Sequence, residues 1–217
     1  MTNLIRLEYL RMADTRTAPL VLDVRRLTIR VGIRTVCSDV SLSLRRGEVL
    51  RLEAGGDDLV LVTGPNGSGK SSLLNAIAGL PPARIEAGTV TVKGQDVTTW
   101  PTHKRCALGL AYMRQRDNVF LDLTVEENLG IALGTRGPQL FADRFGRYAA
   151  SMFGKTAEVL SGGERQILAW AMTLLREGDI LLADEPECGL ADEVELPRDK
   201  ACLLVSHSMD KPRETLE

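Results

Sequence analysis

Residues 59–71 read Leu59-Val60-Leu61-Val62-Thr63-Gly64-Pro65-Asn66-Gly67-Ser68-Gly69-Lys70-Ser71. An apolar run ends here in a glycine-rich turn, and a helix-forming stretch follows from Lys70 to Leu80, so the segment predicts a buried parallel strand feeding a helix. Residues 64–71 match G-x-x-x-x-G-K-[ST] in the context that pattern requires. Its glycines let successive backbone N–H groups turn inward around phosphates, and the helix amino terminus adds positive potential. Lys70 is placed to reach the β and γ oxygens of a nucleoside triphosphate, and the Ser71 hydroxyl to ligate Mg²⁺. Gly64, Pro65, Asn66, Gly67, Ser68, Gly69, Lys70, Ser71 and Ser72 are the candidate nucleotide-binding residues of this loop. A glycine-rich turn with a solvated lysine is the alternative, and the flanking strand and helix argue against it.

Outward from this loop, apolar runs at Leu108 to Tyr112, Ile180 to Ala183 and Cys202 to Val205 are separated by helical stretches, the alternation of an α/β protein with a parallel sheet. Val21 to Val31 and Val40 to Leu44 alternate apolar and polar residues around Gly32, as two half-buried antiparallel strands require. Thr124 to Val159 reads as helix, turn, helix, with Gly134, Gly137 and Pro138 as breakers, and looks like a helical insertion. Residues 1–18 predict a short extra strand or a loose arm.

Asp179 to Pro186 is an apolar strand delivering Asp184 and Glu185 at its carboxyl end, where ligands sit in open parallel sheets. Asp184 can hold Mg²⁺ through water, and Glu185 can orient or deprotonate an attacking water. A solvated acidic turn is the default for a lone Asp-Glu pair; the phosphate loop changes that balance. Gln115 closes Tyr112-Met113-Arg114-Gln115 after another predicted strand, so its amide can reach metal or water. His207 follows the strand Leu203-Leu204-Val205-Ser206, where an imidazole can touch the γ-phosphate. Taken singly, such a glutamine is usually a surface residue and such a histidine structural.

With 217 residues the chain fits one domain, and 27 Lys plus Arg against 29 Asp plus Glu give a net charge of −2. No basic field argues for nucleic acid or anionic lipid. Cys37, Cys106, Cys188 and Cys202 lack CxxC spacing, which suits free thiols in a reducing compartment. No window approaches the roughly 20 apolar residues of a membrane span, and no secretory signal opens the chain, so it is expected to be soluble.

Leu160-Ser161-Gly162-Gly163-Glu164-Arg165-Gln166 opens a helical stretch running to Leu175. A serine and two glycines before a helix form a second anion site, since free N–H groups, a hydroxyl and the dipole converge there; a plain helix cap is the alternative. This run closely resembles the signature of the ATP-binding-cassette (ABC) ATPases, and the phosphate loop, Gln115, the signature, Asp184-Glu185 and His207 follow that family's order. The resemblance covers roughly residues 20–210. It implies one cassette with a RecA-like P-loop NTPase core (about 59–115 and 160–217), an antiparallel β subdomain (about 20–58) and an inserted helical subdomain (116–159) that contacts a membrane partner near Gln115.

The resemblance further implies ATP and Mg²⁺ as cofactors, with Ser71, Gln115 and Asp184 on the metal and Glu185, Gln115 and His207 catalytic. Ser161, Gly162, Gly163 and Gln166 of one cassette would meet the γ-phosphate held by a second, in a homo- or heterodimer. The implied protein is the ATPase subunit of an ABC transporter, cytoplasmic, on the inner face of the cell membrane, and bound to a separate transmembrane permease. Gly109-Leu110-Ala111-Tyr112, Asn118-Val119-Phe120, Leu123 to Leu129 and Gly189-Leu190-Ala191 look like cassettes of branched-chain amino acid and related importers.

Several features depart from the family. Val31 stands before Gly32 where an aromatic residue usually stacks on adenine. The stretch from Gly47-Glu48 to Gly64 is long, and Gly55-Gly56-Asp57-Asp58 predicts an added hairpin. The stretch from Glu185 to His207 is short, which reduces a packing helix to Asp192 to Lys200, broken by Pro197. The sequence ends soon after His207, and Asp192 stands one residue beyond the usual loop aspartate, where Ala191 lies. These features leave two alternatives, a degenerate cassette that binds nucleotide with little turnover and a soluble ABC ATPase outside transport.

Overall fold

The computed structural model describes residues 3–11, 17–54, 60–62, 69–116, 118–184 and 196–205. Among the described residues ten strands form two sheets: β1 (Asn3–Arg11), β2 (Leu20–Val31), β3 (Arg34–Arg45), β4 (Glu48–Ala54), β5 (Val60–Val62), β6 (Ala83–Val92), β7 (Gln95–Asp96), β8 (Leu110–Met113), β9 (Ile180–Asp184) and β10 (Ala201–Val205). The helices are α1 (Lys70–Ala78), α2 (Thr102–Ala107), α3 (Val125–Leu133), α4 (Gly137–Met152) and α5 (Gly162–Leu174).

The larger sheet has the order β5-β1-β4-β10-β9-β8. β4, β10, β9 and β8 run parallel, and β1 is antiparallel to both β4 and β5. Every residue of β9 and β10 is buried, which is why both read as unbroken apolar runs rather than as alternating ones. Successive side chains still point to opposite faces. Leu110, Ile180, Leu182, Leu203 and Val205 join a core with Leu73, Leu74 and Ile77 of α1 and the inner face of the second sheet. Ala111, Met113, Leu181, Ala183, Cys202 and Leu204 face the other way, onto α5 and the helical segment. The parallel sheet is thus the middle of three layers.

The second sheet, β3-β2-β6-β7, is antiparallel throughout. Gly32, with φ 60°, supplies the left-handed residue of the tight turn between β2 and β3. Residues 83–96 join this sheet from beyond α1, whereas β4 leaves it for the larger one. Asp179, at the start of β9, ties the two sheets by pairing with Arg46 and with Lys93. The Lys93 hydrogen bond, followed by the charges of Lys93 and Arg46, holds its carboxyl below the usual range against the opposing effect of burial.

The expected helix-turn-helix is present as α3 and α4. Thr124 caps α3 reciprocally with Glu127, Gly134 ends the helix, and Pro138 lies in the first turn of α4. The apolar stripe of α4 places Phe141, Phe145, Ala149 and Met152 in the second core. Leu196–Lys200 forms a turn rather than the end of a helix. The rest of the shortened segment expected from Asp192 lies outside the described residues.

Two expectations are overturned. Within the stretch expected as a parallel strand, the described residues form β5, Val60–Val62, which lies at the sheet edge and pairs antiparallel with β1. Nor do β4 and β5 form a hairpin, because β1 lies between them. The long stretch from Gly47 offers two strands for the single place beside β10. β4 reaches it first, following β3 through the tight Arg46-Gly47 turn and pairing residue by residue with β10 from Val49 to Leu52. Residues 3–11 are a strand rather than a loose arm.

Candidate nucleotide-binding site

α1 starts at Lys70, directly after Gly69, whose φ of 72° and ψ of 2° place it in the left-handed region. Gly69 has no side chain to cap this end, and among the described residues none does so; the first N–H groups of an α-helix lack a carbonyl partner within the helix, which suits such an end to an anion. Lys70 is only 2% exposed, and Ser71 and Ser72 are half-buried. Cys37 on β3 donates from Sγ to the Gly69 carbonyl at 3.5 Å, which sets the antiparallel sheet beside the helix start. Burial pushes the Cys37 thiol up to about 12, so it stays neutral. Gly64 to Ser68 lie outside the described residues.

The other end of α1 is held by Arg105 of α2, a residue the sequence reading passed over. Its Nη1 donates to Ala76 O at 2.8 Å and Ile77 O at 2.7 Å, its Nε to Trp100 O at 2.9 Å and its Nη2 to Thr98 O at 2.9 Å. A buried cation thus satisfies the last carbonyls of the helix and complements its negative end. Burial pulls the guanidinium below its usual range, with the Asp96 charge opposing. Gly79 leaves room for it, since a Cβ there would lie 2.9 Å from Arg105 Nε.

Asp184 ends β9 and is 3% exposed. Alternation puts it on the face shared by Ile180 and Leu182, the face against which α1 packs. The register sets Met113 opposite Ala183, and Asp184 opposite Val205, so three strand ends share one edge of the sheet. Gln115 emerges from that edge, exposed, two residues after Met113. Asn118 folds the chain back around it, accepting from the Arg114 N–H at 2.9 Å and donating to the Arg114 carbonyl. Glu185 and His207 lie outside the described residues.

Mg²⁺ prefers a few hard oxygen ligands and retains water and phosphate in its shell. The Ser71 hydroxyl and the Asp184 carboxylate are donors of that kind, on elements packed together. No group of three or more metal-binding His, Cys, Asp or Glu occurs among the described residues, and a Mg²⁺ held largely by phosphate does not need one. The residues present fit the ion.

Ser161 caps α5. Its Oγ accepts from Glu164 N at 3.2 Å, and Glu164 Oε2 accepts from Ser161 N at 2.8 Å, a reciprocal pair. The Ser161 N–H bond, ahead of other causes, holds the Glu164 carboxyl below its ordinary range. Gly162 and Gly163 are exposed, with no atom within 4 Å of where a Cβ would stand. Gln166 is half-buried. At the other end Lys200 donates from Nζ to Leu174 O at 3.0 Å and to Arg176 O.

Asn128 also escaped the sequence reading. Fully buried, it accepts from Phe120 N at 2.7 Å and donates to the carbonyls of Phe120, Leu123 and Thr124. It fixes the loop running from Gln115 into α3. Phe120 and Leu121 on that loop are 53% and 45% exposed, and Val159, 67% exposed, is placed beside them by the bond from Glu158 N to Leu121 O.

This arrangement of two sheets with a helical insertion has clear relatives. The family model for ABC transporters matches residues 37–187. A protein of Archaeoglobus fulgidus described as "Probable branched-chain amino acid transport ATP-binding protein LivF" is 46% identical over 142 residues, covering 62% of this chain and 59% of its own. The thiamine import ATP-binding protein ThiQ of Escherichia coli is 37% identical over 185 residues, covering 81% and 71%. An ATP-binding cassette of an ABC transporter, solved in its ADP conformation, superposes with a TM-score of 0.66 at 20% identity over 88% of this chain and 82% of its own. The chain belongs to the ABC transporter ATP-binding family, and it spans about three fifths of the length of the first two curated relatives, 59% and 60%.

Proposed function

We propose that this chain binds MgATP and hydrolyses it to energise passage of a solute through a separate membrane subunit. The observation that supports this most is the placement of the uncapped α1 amino terminus, with buried Lys70, on the sheet face where Asp184 ends β9. On this reading the expected bounds of the β subdomain shift from 20–58 to 20–45 with 83–96, because β4 lies in the larger sheet and β6 and β7 in the smaller one; residues 48–82, 97–115 and 160–217 would be the ATPase core and 116–159 the helical subdomain.

Gly64 to Ser72 would enclose the phosphates, with the Lys70 ammonium against the β and γ oxygens. Bound Mg²⁺ would neutralise charge developing on the phosphates; Ser71, Asp184 and Gln115 would hold it. Glu185 would accept the proton of the attacking water, and His207 would touch the γ-phosphate. The open approach to Gly162 and Gly163 suits a second cassette, whose triphosphate would meet Ser161 to Gly163 and Gln166 from outside. Phe120, Leu121 and Val159 form an apolar patch next to Gln115 that suits the membrane subunit. Among the described residues no helix is long and apolar enough to cross a membrane, so a separate pore subunit and a cytoplasmic position on the inner face of the membrane accord with this reading. The likeness to amino acid and thiamine import subunits favours an importer.

The test is Glu185→Gln, which preserves shape and removes the general base. The variant is expected to bind ATP, cease turnover and accumulate as a nucleotide-bound dimer in light scattering. Full turnover would show that the water is activated elsewhere.

A further inference from the structure

Tyr112 belongs to none of the phosphate, metal or signature groups, yet it connects α1 to the strand beside β9. It is the third residue of β8, on the face of Leu110 and so toward α1. Its hydroxyl donates to Asn75 Oδ1 at 3.2 Å, and Asn75 lies on α1 five positions after Lys70. In the parallel register Tyr112 stands opposite Leu182. Asp184, two residues further along β9, is therefore its diagonal neighbour on the same face. Burial foremost, and then the Asp184 charge, push the phenol above its ordinary range, while Arg114 pulls the other way, so the hydroxyl remains a neutral donor.

The geometry gives this contact a particular consequence. The site is assembled from separate elements, with Lys70 and Ser71 on α1 and Asp184 on β9. Contacts of Lys70 with phosphate travel with the helix. Mg²⁺, if held by Ser71 and Asp184, would in contrast depend on how helix and sheet are placed relative to each other, since this ion demands near-ideal placement of its oxygen donors. Arg105 fixes where α1 ends, whereas the phenol of Tyr112 spans the gap from the sheet to the middle of the helix.

We propose that Tyr112 and Asn75 are a positioning pair that sets the separation of α1 from Asp184 and thereby the Mg²⁺-dependent part of nucleotide binding. This rests on the reading of Lys70, Ser71 and Asp184 as the MgATP site. The pair acts on the metal as partners outside a coordination shell do, by orienting the groups that hold it.

The experiment titrates ADP against the full chain with excess Mg²⁺ and again with EDTA, for wild type, Tyr112→Phe, Asn75→Leu and the double variant, with melting temperatures alongside. Metal-free affinity is expected to stay within about twofold, while the enhancement by Mg²⁺ falls about tenfold in each single variant. The double variant should fall no further, because both changes remove one contact. An enhancement equal to wild type in a folded Tyr112→Phe protein overturns the proposal, as does an equal loss with and without Mg²⁺, which marks a merely structural contact. Two controls separate it from the reading beneath. If Lys70→Ala leaves metal-free affinity intact, the phosphate-loop assignment fails whatever Tyr112 does. If Asp184→Asn leaves the enhancement intact, the metal assignment fails and the positioning pair with it.

Discussion

The two helices that open on the candidate site, α1 and α5, are built alike at one end and differently at the other. Each has its last carbonyls satisfied by a buried cation from another element, Arg105 for α1 and Lys200 for α5. At the amino terminus α5 closes on itself through Ser161 and Glu164, whereas α1 starts from left-handed Gly69 with no side-chain cap. A helix end with its own cap is stable without a ligand, and one without a cap leaves its donors to an anion. On the proposed reading α1 would take an anion held by its own chain, whereas α5 has an already finished end, with Gly162 and Gly163 exposed for the approach of an outside group.

The largest effect expected from this contrast concerns nucleotide affinity. Lys70→Ala removes the charge that offsets the phosphates and should weaken ATP binding at least ~100-fold, about 2.7 kcal/mol. Ser161→Arg, at the other helix, should leave binding by the isolated chain nearly intact and prevent ATP-dependent dimerisation in the Glu185→Gln background. Comparable losses of monomer affinity in both variants would abolish the distinction between the helices.

Next come the cations at the carboxyl ends. Arg105→Met removes the donor of the Ile77, Thr98 and Trp100 carbonyls, while Ala76 O keeps Gly79 N, and is expected to cost about 3 kcal/mol or more in denaturant unfolding. Lys200→Met strands two and should cost about half of that. Equal costs would show that the α1 cap has no special weight.

A smaller change is expected from Ser161→Ala, which removes the Oγ acceptor of the α5 cap, at about 1 kcal/mol. The same substitution at Ser71, where no cap exists, should leave stability nearly unchanged and show itself only in Mg²⁺-dependent binding.

The smallest effect is a pH dependence. The folded Glu164 carboxyl titrates below its unfolded value, mainly because of the Ser161 N–H. Its contribution to α5 is thus fully present above the unfolded value and fades as pH falls through the lower folded one. Amide exchange in the first turn of α5 should rise on acidification over that window. Glu164→Gln should flatten the profile, and an unchanged profile would exclude the capping box as its source.

Much of this site was legible because its signals are local. The Ser161 to Glu164 spacing is itself the capping box, and Gly69-Lys70 marks a helix start. The run from Ile180 to Asp184 is a buried strand ending on a carboxylate. Gly134 and Pro138 bracket the break between α3 and α4 as composition suggested. Apart from Asn128, whose partners lie four to eight positions away, the groups that were missed are long-range. Arg105 reaches carbonyls 28 and 29 positions away, Lys200 one 26 positions away, and Tyr112 an amide 37 positions away. In sequence these are ordinary residues of a short helix, a turn and an apolar strand.

By itself the sequence determined the elements and their chemistry, since periodicity, capping and glycine placement are properties of neighbouring residues. It carried the signals expected of a phosphate loop, a carboxylate-bearing strand and a signature helix, and their order pointed to the family that the comparisons show. The tertiary structure alone decided which strand lies beside β10. Residues 48–54 and 60–62 are both apolar enough for that place, and only pairing within a complete sheet selects between them. It also decided which ordinary polar side chains become caps and braces, because a buried carbonyl takes its donor from whatever segment the fold brings within about 3 Å.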